Sequence, residues 1–152
     1  MDRSATSLDP IDRAIIEQLQ VDGRTPYTRL GAAVGLSEAA VRQRVQRLID
    51  HGIMQVVAVT NPLSSGKRRM AMIGVRTTGP SDQVATTLRE MADIDYLVVT
   101  AGSYDLMCEV VIQDDRELLE LTNRIRRVDG VVSTETFIYL DLVKQTFTWG
   151  AH

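Results

Sequence analysis

The chain has 152 residues, 44% of them hydrophobic and 24% charged, with a formal net charge of −3. That balance suits one soluble globular domain or two small ones; no apolar run approaches the roughly 18 residues of a membrane helix and residues 1–7 lack a secretory pattern, so a cytoplasmic location is expected. A single cysteine, Cys108, excludes an intramolecular disulfide framework, and with only His51 and His152 to help it builds no zinc site.

Residues 1–7 are polar and expected to fray. Asp9-Pro10 supplies an N-cap followed by proline at the first helical position. Ile11, Ile15 and Leu19, with Ala14 and Ile16, form the apolar stripe of a helix that ends near Val21, before Asp22-Gly23. Thr25-Pro26 repeats the cap-then-proline device and starts a second helix with Leu30, Ala33 and Val34 on its inner side. Gly35 can take the positive φ that ends a helix. Ser37 is then a good N-cap for a third helix, which runs to about His51 and is closed by Gly52. Val41, Val45, Leu48 and Ile49 recur at helical spacing, and Arg42, Gln43, Arg44, Gln46 and Arg47 fill the remaining arc.

A short helix, a tight turn and a longer helix with a basic, amide-rich outer side is the pattern of a DNA-binding helix-turn-helix. Arg and Gln form bidentate bonds to guanine and adenine in the major groove, and Arg also neutralises phosphate. The competing reading is a helical hairpin with a solvated Arg/Gln side. Net charge alone does not suggest DNA: residues 1–62 hold seven arginines and seven acidic residues, and the remainder ten basic and thirteen acidic. Clustering does, because Arg42, Arg44 and Arg47 share one short helix and a dimer would present two such patches.

Beyond Gly52 the valine-rich stretch Ile53 to Thr60 predicts a strand, ended by Asn61-Pro62. Leu63 to Lys67, with its Ser-Ser-Gly, is the expected domain boundary. Strand-like and helix-like stretches then alternate. Arg69 to Thr77 is a strand, and Ser81 caps a helix carrying Val84, Leu88 and Met91. Tyr96 to Ala101 and Leu106 to Ile112 are strands flanking the turn Gly102-Ser103-Tyr104-Asp105. Asp114 or Asp115 opens a helix with Leu118, Leu121, Ile125 and Val128, stopped by Asp129-Gly130, and Val131 to Leu140 is the last strand. The order β-α-β-β-α-β is that of a ferredoxin-like sandwich with both helices on one side of an antiparallel sheet. The expected organisation is α+β: a three-helix, winged helix-turn-helix domain at 1–53, a strand and linker at 54–67, and a ferredoxin-like domain at 68–152. Both sides of the strands around Leu97 and Met107 are apolar while two helices cover only one, which predicts at least a homodimer. Met70, Met72, Met107 and Cys108 read as core or interface packing, and Trp149 as a subunit contact or a loose end.

With these residues in view the chain resembles the Lrp/AsnC, or feast/famine, family of prokaryotic transcription regulators over nearly its whole length. The likeness rests on Leu8-Asp9-Pro10-Ile11-Asp12 with Ile15-Ile16, on Asp22-Gly23-Arg24, and on Val34-Gly35-Leu36-Ser37. It continues through Val41 to Leu48, Gly52-Ile53, Asn61-Pro62, Gly102-Ser103-Tyr104-Asp105, Val128-Asp129-Gly130-Val131 and Lys144. Departures occur at Val56-Val57, where many relatives have Gly and an aromatic, and at Ser103, where an acidic or amide residue is common. The resemblance implies a regulator that binds double-stranded DNA, assembles as dimers and octamers, associates with the nucleoid, and senses an amino acid or related metabolite bound between sensor domains.

Site residues follow from both readings. Ser37, Glu38 and Ala39 lie at the end of the third helix that enters the groove; Arg42 and Gln43 are expected at base edges, Arg44 and Arg47 at phosphates. Thr25, Tyr27 and Thr28 are candidate phosphate anchors. Arg44 has an equal alternative as a structural ion pair with Asp50 or another acid. The turn Gly102, Ser103, Tyr104 and Asp105 is the candidate effector site, with Thr100 before it and the hydroxyls of Thr134 and Thr136 on the last strand. Exposed amides would hold a carboxylate and Asp105 an ammonium; the competing reading is a plain β-turn, with Thr134 and Thr136 simply good strand formers. No cofactor, metal or catalytic residue is expected. Two other functions stand beside the regulator: a nucleoid-type architectural protein that wraps DNA, and an enzyme like the siroheme decarboxylases, which share this fold. The enzyme would want histidines near the cleft, and the chain has only His51 and His152.

Overall fold

The structure is a computed structural model that describes residues 8–59 and 69–146. The chain divides into two compact units, one built on its N-terminal helices and one on a sheet.

Helices α1 (Pro10–Val21), α2 (Tyr27–Val34) and α3 (Glu38–Asp50) make the first unit. The Asp9 carboxylate accepts from the Asp12 N–H and so caps α1 ahead of Pro10. Ile15, Leu19, Leu30, Val41 and Val45 close into one core, with Ile16 and Leu48 beside it. Fully burying one such side chain contributes about 1.5–3 kcal/mol. Ala33, predicted inward, is exposed. The second cap also differs from expectation. Pro26 rather than Thr25 stands at the N-cap of α2, and the Thr25 hydroxyl donates instead to the Asp22 carbonyl at 2.8 Å. From Met54 to Val59 no strand forms, and Val56, Val57 and Val59 are exposed. A run of valines favours extended backbone, but a strand needs a ladder partner, and among the described residues the chain supplies none.

The second unit follows the order β1 (Arg69–Thr77), α4 (Asp82–Arg89), β2 (Ile94–Val99), β3 (Leu106–Ile112), α5 (Asp115–Arg126) and β4 (Val131–Ile138). Its sheet is antiparallel with strand order β2-β3-β1-β4, the ferredoxin-like arrangement. Strand alternation decides what each side carries. Ala71, Ile73 and Val75 of β1 and Leu106, Cys108, Val110 and Ile112 of β3 meet Val84 and Leu88 of α4 and Leu118, Leu121 and Ile125 of α5 in one core. Asp114 caps α5 by accepting from the Glu117 N–H at 2.9 Å. Ser81, by contrast, makes no side-chain cap bond. The cysteine lies fully inside this core, where burial pushes its thiol up to about 11. On the opposite side of the sheet Met72 and Met107 are half-buried, and Tyr96 and Phe137 are exposed. The expected linker Leu63–Lys67, the frayed start, Trp149 and His152 lie outside the described residues.

Candidate nucleic-acid interface and effector turn

The turn between α2 and α3 is built on two glycines. Gly35 adopts φ 71°, which only glycine takes without cost. Gly31, inside α2, is buried, and its carbonyl accepts from the Leu36 N–H at 2.9 Å. A Cβ on Gly31 would lie 2.4 Å from the Leu36 carbonyl oxygen, so the chain can pass this closely only over a glycine. Ser37 then caps α3, its hydroxyl accepting from the Ala40 N–H at 3.3 Å.

Helix α3 buries Val41, Val45 and Leu48 and exposes Glu38, Ala39, Arg42, Gln43, Gln46, Arg47 and Asp50, and its N-cap Ser37 is exposed too. A shallow groove along it is lined by Ala39, Arg42, Gln43, Gln46, Arg47, Asp50 and His51. Arg42 donates to Glu38 at 2.6 Å, and its guanidinium carbon lies 5.1 Å from the centroid of the Tyr27 ring. Gln46 donates to Asp50 at 2.8 Å, and the His51 Nδ1 donates to the Arg47 carbonyl at 2.7 Å.

Arg44 and Arg47 are both engaged by acids of α1, Arg47 with 44% of its side chain still exposed. Arg44 donates to Asp9 at 2.6 Å and to Asp12 at 2.8 Å, and Arg47 donates to Asp12 at 2.6 Å. The Asp12 side chain is only 3% exposed, so α1 carries a buried carboxylate that two arginines of α3 must neutralise. Hydrogen bonding from Arg44 holds the Asp9 carboxyl below its ordinary value, and the two acids raise Arg44 in turn. The ion pair weighed for Arg44 is present, made to Asp9 and Asp12 rather than to Asp50. Thr25 is likewise buried with its hydroxyl committed to the chain, whereas Tyr27 is half-buried and Thr28 exposed. Asp50 and His51 were missed as groove residues, and Gln46, expected on the outer arc, was not singled out for contact. Their signal was present, because Ala39, Gln43, Gln46 and Asp50 fall at intervals of three and four.

In the sheet unit, residues 100–105 close a tight turn. The Thr100 hydroxyl donates to the Tyr104 carbonyl at 2.6 Å, and the Asp105 carboxylate accepts from the Thr77 N–H at 2.7 Å. The Asp105 carboxylate thus ties the turn to the end of β1. Gly102 and Ser103 are exposed, and a Cβ on Gly102 would meet nothing. Tyr104 lies flat against β1: a Cβ on Gly74 would be 2.7 Å from its ring. Its hydroxyl donates to Glu135, Phe137 meets it edge-on with centroids 6.1 Å apart, and the Arg76 guanidinium lies 5.5 Å from its centroid. Thr134 and Thr136 do not join this cluster. They pair with Val75 and Ile73 on the helix-covered side, where the Arg126 Nε donates to the Thr134 hydroxyl at 2.8 Å. Neighbouring strand residues point to opposite sides, so Glu135 and Phe137 share a side with Tyr104 and the threonines do not.

Residues 8–49 match the AsnC-type helix-turn-helix domain, and residues 70–149 the Lrp/AsnC ligand binding domain. A Pyrococcus horikoshii protein named as an HTH-type transcriptional regulator is 34% identical over 146 residues, covering 94% of this chain and 90% of the relative. The HTH-type transcriptional regulator LrpA of the same organism is 31% identical, covering 90% of this chain and 99% of its own. Among solved structures, the leucine response regulatory protein LrpA of Mycobacterium tuberculosis superposes with a TM-score of 0.82 at 30% identity, over 91% of this chain and 96% of that one. A feast or famine regulatory protein from M. tuberculosis complexed with L-methionine gives 0.80 at 30% identity, over the same 91% and 96%.

Proposed function

The chain belongs to the Lrp/AsnC family of transcription regulators, and on that premise we propose that α3 is its reading head and the sheet unit its amino-acid sensor. The observation that carries the first half is the exposed side of α3. A capped helix, held by a glycine turn, offers Arg42, Gln43 and Gln46 outward, while Arg44 and Arg47 are turned onto Asp12. Arg42 and Gln43 read base edges in the major groove; Tyr27 and Thr28 lie on the preceding helix, where a phosphate contact fits.

Replacing Arg42 by alanine should cost about 1–3 kcal/mol on a duplex selected by the wild-type chain from a random pool, with discrimination relaxed at one base position. Binding of the variant to single-base substituted duplexes measures this. Equal affinity of the wild type for selected and random duplexes at one salt concentration would replace sequence reading with architectural wrapping.

The working unit is at least a homodimer. Met72, Met107, Tyr96 and Phe137 form an apolar side that α4 and α5 leave uncovered, and a two-fold axis would double α3 to suit a palindromic site. The effector is an amino acid or a related small metabolite, taken up around the exposed Gly102-Ser103 turn. A relative that carries L-methionine supports that class. A ligand bound only by the folded state raises the melting temperature. Screening the twenty amino acids by thermal shift should therefore pick out one or a few; no shift with any of them counts against the amino-acid reading.

A further inference from the structure

Arg42 stands apart from the other two arginines of α3. Its side chain is 63% exposed, yet it is not idle: Glu38, one turn back, takes its Nη2 at 2.6 Å, and Tyr27 lies beneath it. An exposed pair of this kind adds little to folding. What it does change is the charge that α3 shows to DNA. With the pair closed, Arg42 and Glu38 sum to zero, and the guanidinium is held on Glu38 rather than offered to phosphate. With the pair open, the guanidinium can take the O6 and N7 of a guanine in both arms, and the freed carboxylate can accept from the N4 amino group of a cytosine.

We infer that Glu38 is a specificity-determining residue: it keeps Arg42 neutralised on random duplex and releases it only where a guanine for Arg42 and a cytosine for Glu38 lie together. The inference rests on the reading that α3 enters the major groove. Random DNA offers phosphate but no amino donor in the right place, so opening the pair there strands Glu38 without a partner. On a matching site both halves are satisfied. The acid weakens binding everywhere, and least where the sequence fits.

The test uses the full chain and its Glu38→Gln, Arg42→Gln and doubly substituted variants. Each is titrated over a salt series with a duplex selected by the wild type and a scrambled duplex of equal length. Glu38→Gln should tighten binding to the scrambled duplex about three- to tenfold and steepen the slope of log affinity against log salt by about one, as one more cation becomes available to phosphate. The selected duplex should gain nothing, so the discrimination ratio falls. In the Arg42→Gln background, adding Glu38→Gln should leave the scrambled-duplex affinity within about twofold, because the acid acts through Arg42. Equal tightening on both duplexes, or tightening that persists without Arg42, overturns the inference in favour of plain phosphate repulsion. A wild-type chain that fails to tell the two duplexes apart overturns the sequence-reading role of α3 on which the inference rests. All four proteins should melt alike, since the pair is exposed.

Discussion

Removing Arg44 and Arg47 together should destabilise the N-terminal unit by about 3–5 kcal/mol, the cost of leaving a buried carboxylate without a counter-charge. Asp12 is the carboxylate in question, 3% exposed and bonded to both guanidiniums at 2.6–2.8 Å. Removing Asp12 instead should cost less, about 1–3 kcal/mol, because Arg44 keeps Asp9 and the half-exposed Arg47 can turn to water. Removing Asp12 from the variant that already lacks both arginines should recover part of the loss, because the stranded charge goes with it, and that recovery identifies a three-residue clamp; a purely local packing effect would add the costs instead. Hydrogen exchange of the α1 and α3 amides in the full chain reads the unit directly. Acid acts in the same direction. The Asp9 carboxyl is held low in the folded state, so its contribution is complete above the ordinary carboxylate range and is lost as pH falls through the lowered value. DNA binding by the arginine variants should fail through melting of α3, not through a changed salt slope with the helix intact.

Gly31→Ala is the second large effect, and its sign is diagnostic. Alanine in the middle of a helix ordinarily stabilises by up to about 1 kcal/mol over glycine. Here the added methyl would sit 2.4 Å from the Leu36 carbonyl oxygen, a backbone atom that cannot swing away. Relieving it means pulling α2 from the turn and breaking the 2.9 Å bond from the Leu36 N–H to the Gly31 carbonyl. A net loss of about 1–3 kcal/mol is expected, together with a misplaced α3 and weakened binding to every duplex. Denaturant titration and duplex binding check the two halves; a more stable variant with full affinity would show that the turn does not need this close approach.

The legible parts of this molecule were those written in neighbouring residues. Asp9-Pro10, Gly35, Ser37 and Asp114 each act within a few positions, and they marked three of the helix starts and the central turn. The βαββαβ order and its core also followed from alternation and helical spacing alone. The clamp was hidden because its partners lie 32 and 35 residues apart, and Arg44 looks the same in sequence whether it faces phosphate or a buried acid. Gly31 was hidden for a different reason: a glycine inside a helix reads as a propensity defect until its neighbour is seen. Thr134 and Thr136 went to the wrong side because register, not residue type, decides which side of a strand a hydroxyl occupies. The valines from Val56 to Val59 show the complementary failure, since preference for a strand does not provide a second strand.

Cys108 carries a practical consequence. A thiol with no exposed surface and a pKa near 11 presents roughly one thiolate in ten thousand at neutral pH, and that one faces leucines and isoleucines. Peroxide and disulfide exchange thus have no foothold on the native fold. A fluorophore attached to a cysteine newly placed on α3 would label that position alone, with the natural sulfur left where it is.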